Sequence, residues 1–504
     1  MGKPFENLIT DFSGGITDDP RDDRKNVAQM VTNFNALTNK HRLIPYRNSE
    51  SGDSSASTRQ NQAFCIAKLN STTYALYGLG VSSGTGKAEV SYKALTTGAA
   101  NDLDDDSWNN TSNYFSAAGT TSFNLFVYYQ RTGYIYGARA GTHIWRYDPD
   151  GGDAWADSHQ ALTYANLAQG IVHSKDDVLY IPYDNKLAKN DNGSWTTAAL
   201  TLPEHLYITS ICEYGNYLAI GCAPLSGYGN SIVYLWDRDS SSATISESID
   251  WGEGVLKVLE EVDGELIGIS LCSSGNRFND RVIFRVLQLT KALKFKELLT
   301  TATTTQLPIF KQKIDNRLYF MMSTSLYGAT REGVWSVGRT PGGPFTLFHE
   351  RTPNNDTALT SGVLKGFYIV ADYLFQSYID NGTYALSKTN DSASYATSIY
   401  ETKILNEGDS SLKKDLMGAS VMTEYMPANG QIVLKYKKDE ETSFTTIFTN
   451  TTDSSISYSA VNIESSGAAL PKGYKEITFR IESTGGAVVT GLHYKGEIVD
   501  KRPY

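Results

Sequence analysis

Residues 210–221 read SICEYGNYLAIG: an apolar strand, a Tyr-Gly-Asn turn, and a second strand with an aliphatic centre. Gly and Asn supply the backbone freedom a tight hairpin needs, so the stretch predicts two paired strands. The pattern recurs in CIAKLNSTTYALYG around Ala75, FVYYQRTGYIYGA around Ile135 and IVHSKDDVLYIP around Leu179. After Leu218 it returns in KVLEEVDGELIGIS around Leu266, FKQKIDNRLYFMM around Leu318 and FYIVADYLFQSY around Leu374. Successive centres lie 39 to 60 residues apart, about 50 on average, which is the period of a propeller blade or a kelch-type repeat.

Most hairpins are followed by a further strand that carries aromatics. Trp145, Tyr147 and Trp155 follow the second, Trp195 the third, Tyr234 and Trp236 the fourth, with Phe284, Trp335 and Tyr384 after the last three. A hairpin with one or two added strands is the content of a four-stranded blade, and its aromatics are expected to pack between neighbouring blades. Unrelated hairpins gathered into sandwiches are the competing reading, against which the long period argues. About seven blades are expected. Six or eight remain open, because the 60-residue first interval has room for a degenerate strand pair around DLDDDSWNNTSNYFS.

The repeat stops near residues 406–411, and short alternating strands such as QIVLKYKKD and YKEITFRIES follow, predicting a small β-sandwich. At the other end the repeat is also missing. Part of KNVAQMVTNF reads as one short helix, and SESGDSSASTRQN reads as an exposed linker. The expected organisation is an all-β chain: an N-terminal extended arm over 1–60, a β-propeller over 61–409 and a β-sandwich over 410–504.

Composition limits what such a chain does. With 40% apolar and 12% aromatic residues it has material for a core, which excludes wholesale disorder. Lys and Arg number 45 against 55 Asp and Glu, a net charge of −10, and gripping nucleic acid needs the opposite sign. Cys65, Cys212, Cys222 and Cys272 fall in or beside apolar runs without C-x-x-C spacing, so buried thiols and assembly in a reducing cytoplasm are expected. Met1 to Thr10 holds no apolar signal core, and no apolar stretch approaches the ~20 residues of a membrane span, so no membrane insertion is expected.

Motifs for chemistry are weak. Seven scattered histidines come without a Gly-x-Ser-x-Gly elbow. GVSSGTGKAEV has Val81 where a phosphate loop needs Gly and Ala88 where it needs Ser or Thr. Asp102, Asp104 and Asp106 alternate like a calcium loop, but Ser107 stands for the required Gly and Asn113 for the closing Glu. DPDGGDAW has the spacing of a sialidase Asp-box, with Asp150, Gly152 and Trp155, but lacks the leading Ser or Thr. Sialidase-like hydrolysis would further need clustered arginines and a tyrosine nucleophile with an acidic partner. No catalytic residue, metal site or cofactor is expected, and the chain is read as not an enzyme.

A likeness enters at the N-terminus. Phe12, Gly14, Gly15 and Ile16, an acidic stretch with Pro20, then Asn33 and Phe34, and finally Leu43, Ile44, Pro45 and Arg47 resemble the opening of tail proteins of double-stranded DNA phages, with Tyr46 set between Pro45 and Arg47. The ending KGYKEITFRIESTGGAVVTGLHYKGEI is similar to the terminal sandwich strands of the same nozzle or tail-hub proteins. The resemblance implies a structural virion protein of a short-tailed phage, assembled in the host cytoplasm into a homo-oligomeric ring, typically of six copies. Such a ring docks below the head-to-tail adaptor, carries tail fibres or spikes, and lets DNA pass without specific binding. It also implies that Phe12, Gly14, Gly15, Ile16, Pro20 and Pro45 contact partner rings; the plainer reading has Gly14 and Gly15 merely make a turn, with the segment strapping its own propeller. A receptor-binding or glycan-active propeller of the tail is the alternative function.

Overall fold

The computed structural model describes residues 3–16, 26–53, 60–82, 86–96, 102–118, 121–139, 141–150, 154–227, 229–241, 244–272, 281–288, 294–303, 310–326, 329–340, 343–353, 359, 362–392, 394–451, 459–460 and 470–499. The chain is all-β and divides into two compact units. One holds Glu50–Glu332 and Leu359–Thr389; the other holds Met1–Ser49, Gly333–Ala358 and Asn390–Tyr504.

The first unit is a seven-bladed propeller. All seven hairpins read from the sequence are the first two strands of a sheet. Blade 1 runs Ala63–Lys68, Tyr74–Val81, Lys87–Ala94, Asn109–Ala118, each strand antiparallel to the next. Blades 2 to 5 repeat this order, opening at Thr121–Tyr129, Ile171–His173, Leu206–Tyr214 and Val255–Val262. Blade 6 starts with Lys311–Ile314 on Arg317–Leu326, and the chain leaves the unit within the strand that follows, Ala329–Gly338. Blade 7 is Val363–Val370, Tyr373–Asp380 and Thr383–Thr389, completed by Ser49–Ser51 from the start of the chain. The opening strands touch in succession around the ring, and that of blade 7 lies against that of blade 1. Among the described residues the long first interval holds no extra blade: it accommodates the loop over residues 102–108 and the fourth strand of blade 1.

Local chemistry explains the hairpins. In blade 5, Asp263 and Gly264 both take positive φ, 52° and 82°, between the paired Val262 and Glu265, the geometry a two-residue turn needs to match strand twist. The apolar core sits between blades. Tyr77 and Leu79 of blade 1 share a cluster with Phe126, Trp145 and Tyr147 of blade 2, and Ile208 and Trp236 of blade 4 share one with Tyr180 of blade 3. Trp145, Trp236 and Trp251 are fully buried, as expected of third- and fourth-strand aromatics. Cys65, Cys212 and Cys222 are buried free thiols, raised in pKa by burial, while the Cys272 side chain lies outside the described residues.

The second unit is a sandwich. One sheet orders Lys3–Ile9, Val489–Ile498, Lys414–Thr423 and Ser459–Ala460; the other orders Ala28–Thr32, Ser398–Thr402, Ile477–Thr484, Gln431–Lys438 and Thr445–Asn450. Phe479 of the second sheet packs on Tyr494 of the first at 5.1 Å between ring centroids.

Three expectations need correction here. The sandwich does not begin at residue 410, because Ser398–Thr402 is one of its strands and the N-terminal segment supplies two more. The 1–60 segment is therefore woven into both units rather than forming an arm. The helix expected in KNVAQMVTNF is the strand Ala28–Thr32, buried at all five positions; β-branched Val31 and Thr32 fit it, and Asn33 at φ 59° ends it.

Candidate functional site

A densely bonded polar cluster of the propeller lies where blade 7 meets blade 1. Alternation along Lys87–Ala94 puts Lys93 on the buried face with Glu89 and Ser91. Its side chain, 0% exposed, ends inside the loop that the sequence likened to a calcium site. There Nζ donates to the carbonyl oxygens of Asp102 at 3.2 Å, Asp105 at 2.6 Å and Ser107 at 2.6 Å. The loop is folded by its own carboxylates: Asp102 Oδ1 accepts from Thr96 Oγ1 and Asp105 Oδ1 from the Ser107 N–H, so the carbonyls converge while the acids cap turns. From blade 7, Lys388 donates to the Leu103 and Asp104 carbonyls and pairs with Glu50 at 3.0 Å. Trp108 closes the loop, its Nε1 donating to Gly52 O at 2.8 Å and its ring packing on Phe64 and Phe375.

Burial, with Lys388 nearby, lowers the Lys93 pKa from 10.5 to about 8; Asp105, Asp53 and Asp106 oppose the shift. An amine poised there has the reactivity of a nucleophile. Three ammonium donors on three carbonyls and no exposure instead make it a clamp. The unfolded chain keeps this proton up to 10.5 and the folded chain releases it near 8, so this group adds stability as pH rises between those values. The gain is up to roughly 3 kcal/mol. Urea unfolding of the wild type minus Lys93→Met across that window is expected to show the rise, and parallel curves would count against it.

Sequence reasoning rejected the calcium reading but missed the lysines. The available signal was a lysine at an inward position of a blade strand, in VSYKAL and YALSKT.

In the sandwich, the residues expected to contact partners turn inward. Phe12 is 0% exposed and packs edge-on against Tyr400, with centroids 5.1 Å apart. Gly14 N–H donates to Asn26 O, a Cβ on Gly14 would collide with that carbonyl, and Gly15 sits at φ 75°. Ile16 bonds to Leu347 O, and Pro45 is buried opposite Phe34. These five are internal packing and correct the expectation of a partner-facing surface; Pro20 lies outside the described residues. Glycines let the backbone approach closely enough for these bonds.

Tyr46, the residue set between Pro45 and Arg47, has its own partners. Its hydroxyl donates to Glu350 at 2.5 Å, Glu350 also accepts from Ser336, and Arg351 stacks over the Tyr46 ring at 5.8 Å while donating to Arg47 O. Thr32 Oγ1 meets His349 Nδ1 at 3.1 Å beside Trp335.

The remaining motifs do not assemble into a catalytic set. His173 Nδ1 is 3.3 Å from Asp176, which also binds Arg238, but the neighbouring Ser174 hydroxyl donates to Glu213. Burial lowers the His173 pKa, which keeps the ring neutral. Lys87 of the glycine-rich loop opens a strand. Asp150 and Trp155 stand on either side of residues 151–153, which lie outside the described ones. Among the described residues no three His, Cys, Asp or Glu side chains cluster to hold a metal ion, and no helix is long and apolar enough to cross a membrane.

No family model and no curated protein matches the chain. Among solved structures, it is similar to the WD40 domain of Toxoplasma gondii coronin at 12% identity, covering 71% of this chain and 88% of that one with a TM-score of 0.39. It is also similar to YjhT at 11% identity, 57% and 97% coverage and a TM-score of 0.35. A structure described as a glycoside hydrolase matches at 10% identity, 89% and 99% coverage and a TM-score of 0.30.

Proposed function

We propose that this chain is a structural protein of a bacteriophage tail, one subunit of a nozzle or tail-hub ring through which DNA leaves. The observation that carries the reading is the meeting of the two segments on which the resemblance rests. They are more than 400 residues apart in sequence, yet Leu43 and Val489 exchange backbone hydrogen bonds at 2.9 and 3.2 Å, and Lys3–Ile9 pairs along Val489–Ile498. Both belong to one sandwich, so the likeness concerns a single folded module. The chain also crosses between its two units at residues 49/50, 332/333, 358/359 and 389/390, and a part that transmits load gains from four covalent connections over one. With a charge of −10 per copy, a lumen built from this chain would repel passing DNA.

Under this reading the chain acts by holding shape and binds copies of itself, the head-to-tail adaptor and fibres or spikes, with no cofactor. Sedimentation of the purified chain at micromolar concentration is the test. A discrete closed oligomer, typically a hexamer, is expected, and a monomer at all concentrations would contradict it.

The glycan-active alternative draws on one observation, the Tyr46–Glu350 hydrogen bond, which joins a tyrosine to an acid beside an arginine. Against it, Arg351 is 4% exposed and already donates to a carbonyl. Tyr46→Phe and Glu350→Gln are expected to leave any release of sugar from host surface glycans unchanged from background. Hydrolysis by the wild type that both variants abolish would replace the structural reading.

A further inference from the structure

The loop over residues 102–108 is a cation-binding structure by geometry, although its sequence fails as a calcium loop. Its ligands are backbone carbonyls, and they surround a positive charge. We propose that this loop is a cage for a large monovalent cation which the chain fills with its own Lys93 ammonium, so that free potassium, ammonium or methylammonium takes the place once that side chain is cut back.

Distance decides the class of ion. The carbonyls of Asp102, Asp105 and Ser107 stand 2.6 to 3.2 Å from Nζ. Calcium takes six to eight oxygens at about 2.3–2.6 Å; the Asp102 carbonyl stands beyond that range, and among the described residues three carbonyls face Nζ, too few for it. Rings of carbonyls that replace a hydration shell are the usual hosts of potassium. Charge is divided: burial and Lys388, which itself pairs with Glu50 at 3.0 Å, oppose a positive charge here, while Asp105, Asp53 and Asp106 favour it, so the carbonyl oxygens are what hold it. The Trp108 ring, 5.4 Å from Nζ, adds a face that suits a weakly hydrated cation. Because the same loop accepts from Lys388 of blade 7, filling the cage also holds the ring shut between its last blade and its first.

Lys93→Ala tests this by chemical rescue at pH 7 and fixed ionic strength, in chlorides of tetramethylammonium, sodium, calcium, potassium, ammonium and methylammonium. The variant is expected to melt well below the wild type. Methylammonium, ammonium and potassium should then restore most of the lost midpoint, saturably, and the other three should not. The wild type, whose cage is occupied by Nζ, should show no selective response. If Lys93→Ala does not fold unaided, refolding yield in the same salts is the readout. Equal response to all six cations, or an equal response of the wild type, would overturn the proposal.

Discussion

Gly366→Val is expected to abolish cooperative folding of the propeller. Gly366 sits in the opening strand of blade 7, and a Cβ there would fall inside the radius of the Gln62 carbonyl oxygen, next to the opening strand of blade 1. The obstacle is backbone at the closing point of a ring, so no flexible side chain can move aside. Val370, Phe375, Tyr384 and Leu386 of blade 7 share a core with Phe64, Leu76, Leu103 and Trp108 of blade 1, and the Tyr384 hydroxyl donates to Asn61 O. Forcing the blades apart exposes several of these side chains, each worth about 1.5–3 kcal/mol of burial. Circular dichroism melting and tryptophan fluorescence should show an early, broadened transition. A midpoint within a few degrees of the wild type would mean the seam is not closed as described.

Lys414→Met is expected to cost about 2–3 kcal/mol, the scale for losing hydrogen bonds to a charged group and leaving buried carbonyls unsatisfied. Lys414 is 0% exposed in the sandwich, and its Nζ donates to Asp409 O at 2.7 Å, Leu412 O at 2.9 Å and Lys475 O at 2.8 Å. Methionine fills the space but leaves three carbonyls unsatisfied. Its backbone also exchanges hydrogen bonds with Tyr474 at 2.7 and 3.1 Å, so loss of the clamp should loosen the loop before Lys414–Thr423 together with residues 474 and 475. Hydrogen exchange should rise there first, and a denaturant midpoint unchanged from the wild type would refute the assignment. Burial lowers the Lys414 pKa as it lowers that of Lys93, and both ammonium groups end on three backbone carbonyls.

How much of this was legible depended on sequence distance. Every propeller hairpin was readable, because a strand, a turn and its partner strand fall within about 14 residues and each carries its own signal. Ala28–Thr32 was misread because its partner, Ser398–Thr402, is some 370 residues away and nothing local marks it as a strand. Ser49–Ser51 was taken for linker for the same reason: three polar residues become a blade strand only once Thr383–Thr389 is beside them. The Asp102 loop shows the limit in chemistry. Spacing was enough to discard calcium, but the cation it does hold comes from Lys93, and the second lysine from residue 388. The burial of Phe12, Gly14, Gly15, Ile16 and Pro45 has no local signal either: the partner contact came with the family resemblance, and Tyr400 and Leu347, which meet Phe12 and Ile16, lie far along the chain.

The central claim is that copies of this chain build a ring with an open passage. Electron microscopy of the purified chain, followed by fitting into intact tails, measures this most directly. The account predicts class averages of a closed ring with a stain-filled centre, and density for the chain below the head-to-tail adaptor. Compact single particles with no passage, together with tails in which no density accepts a seven-bladed propeller, would contradict it.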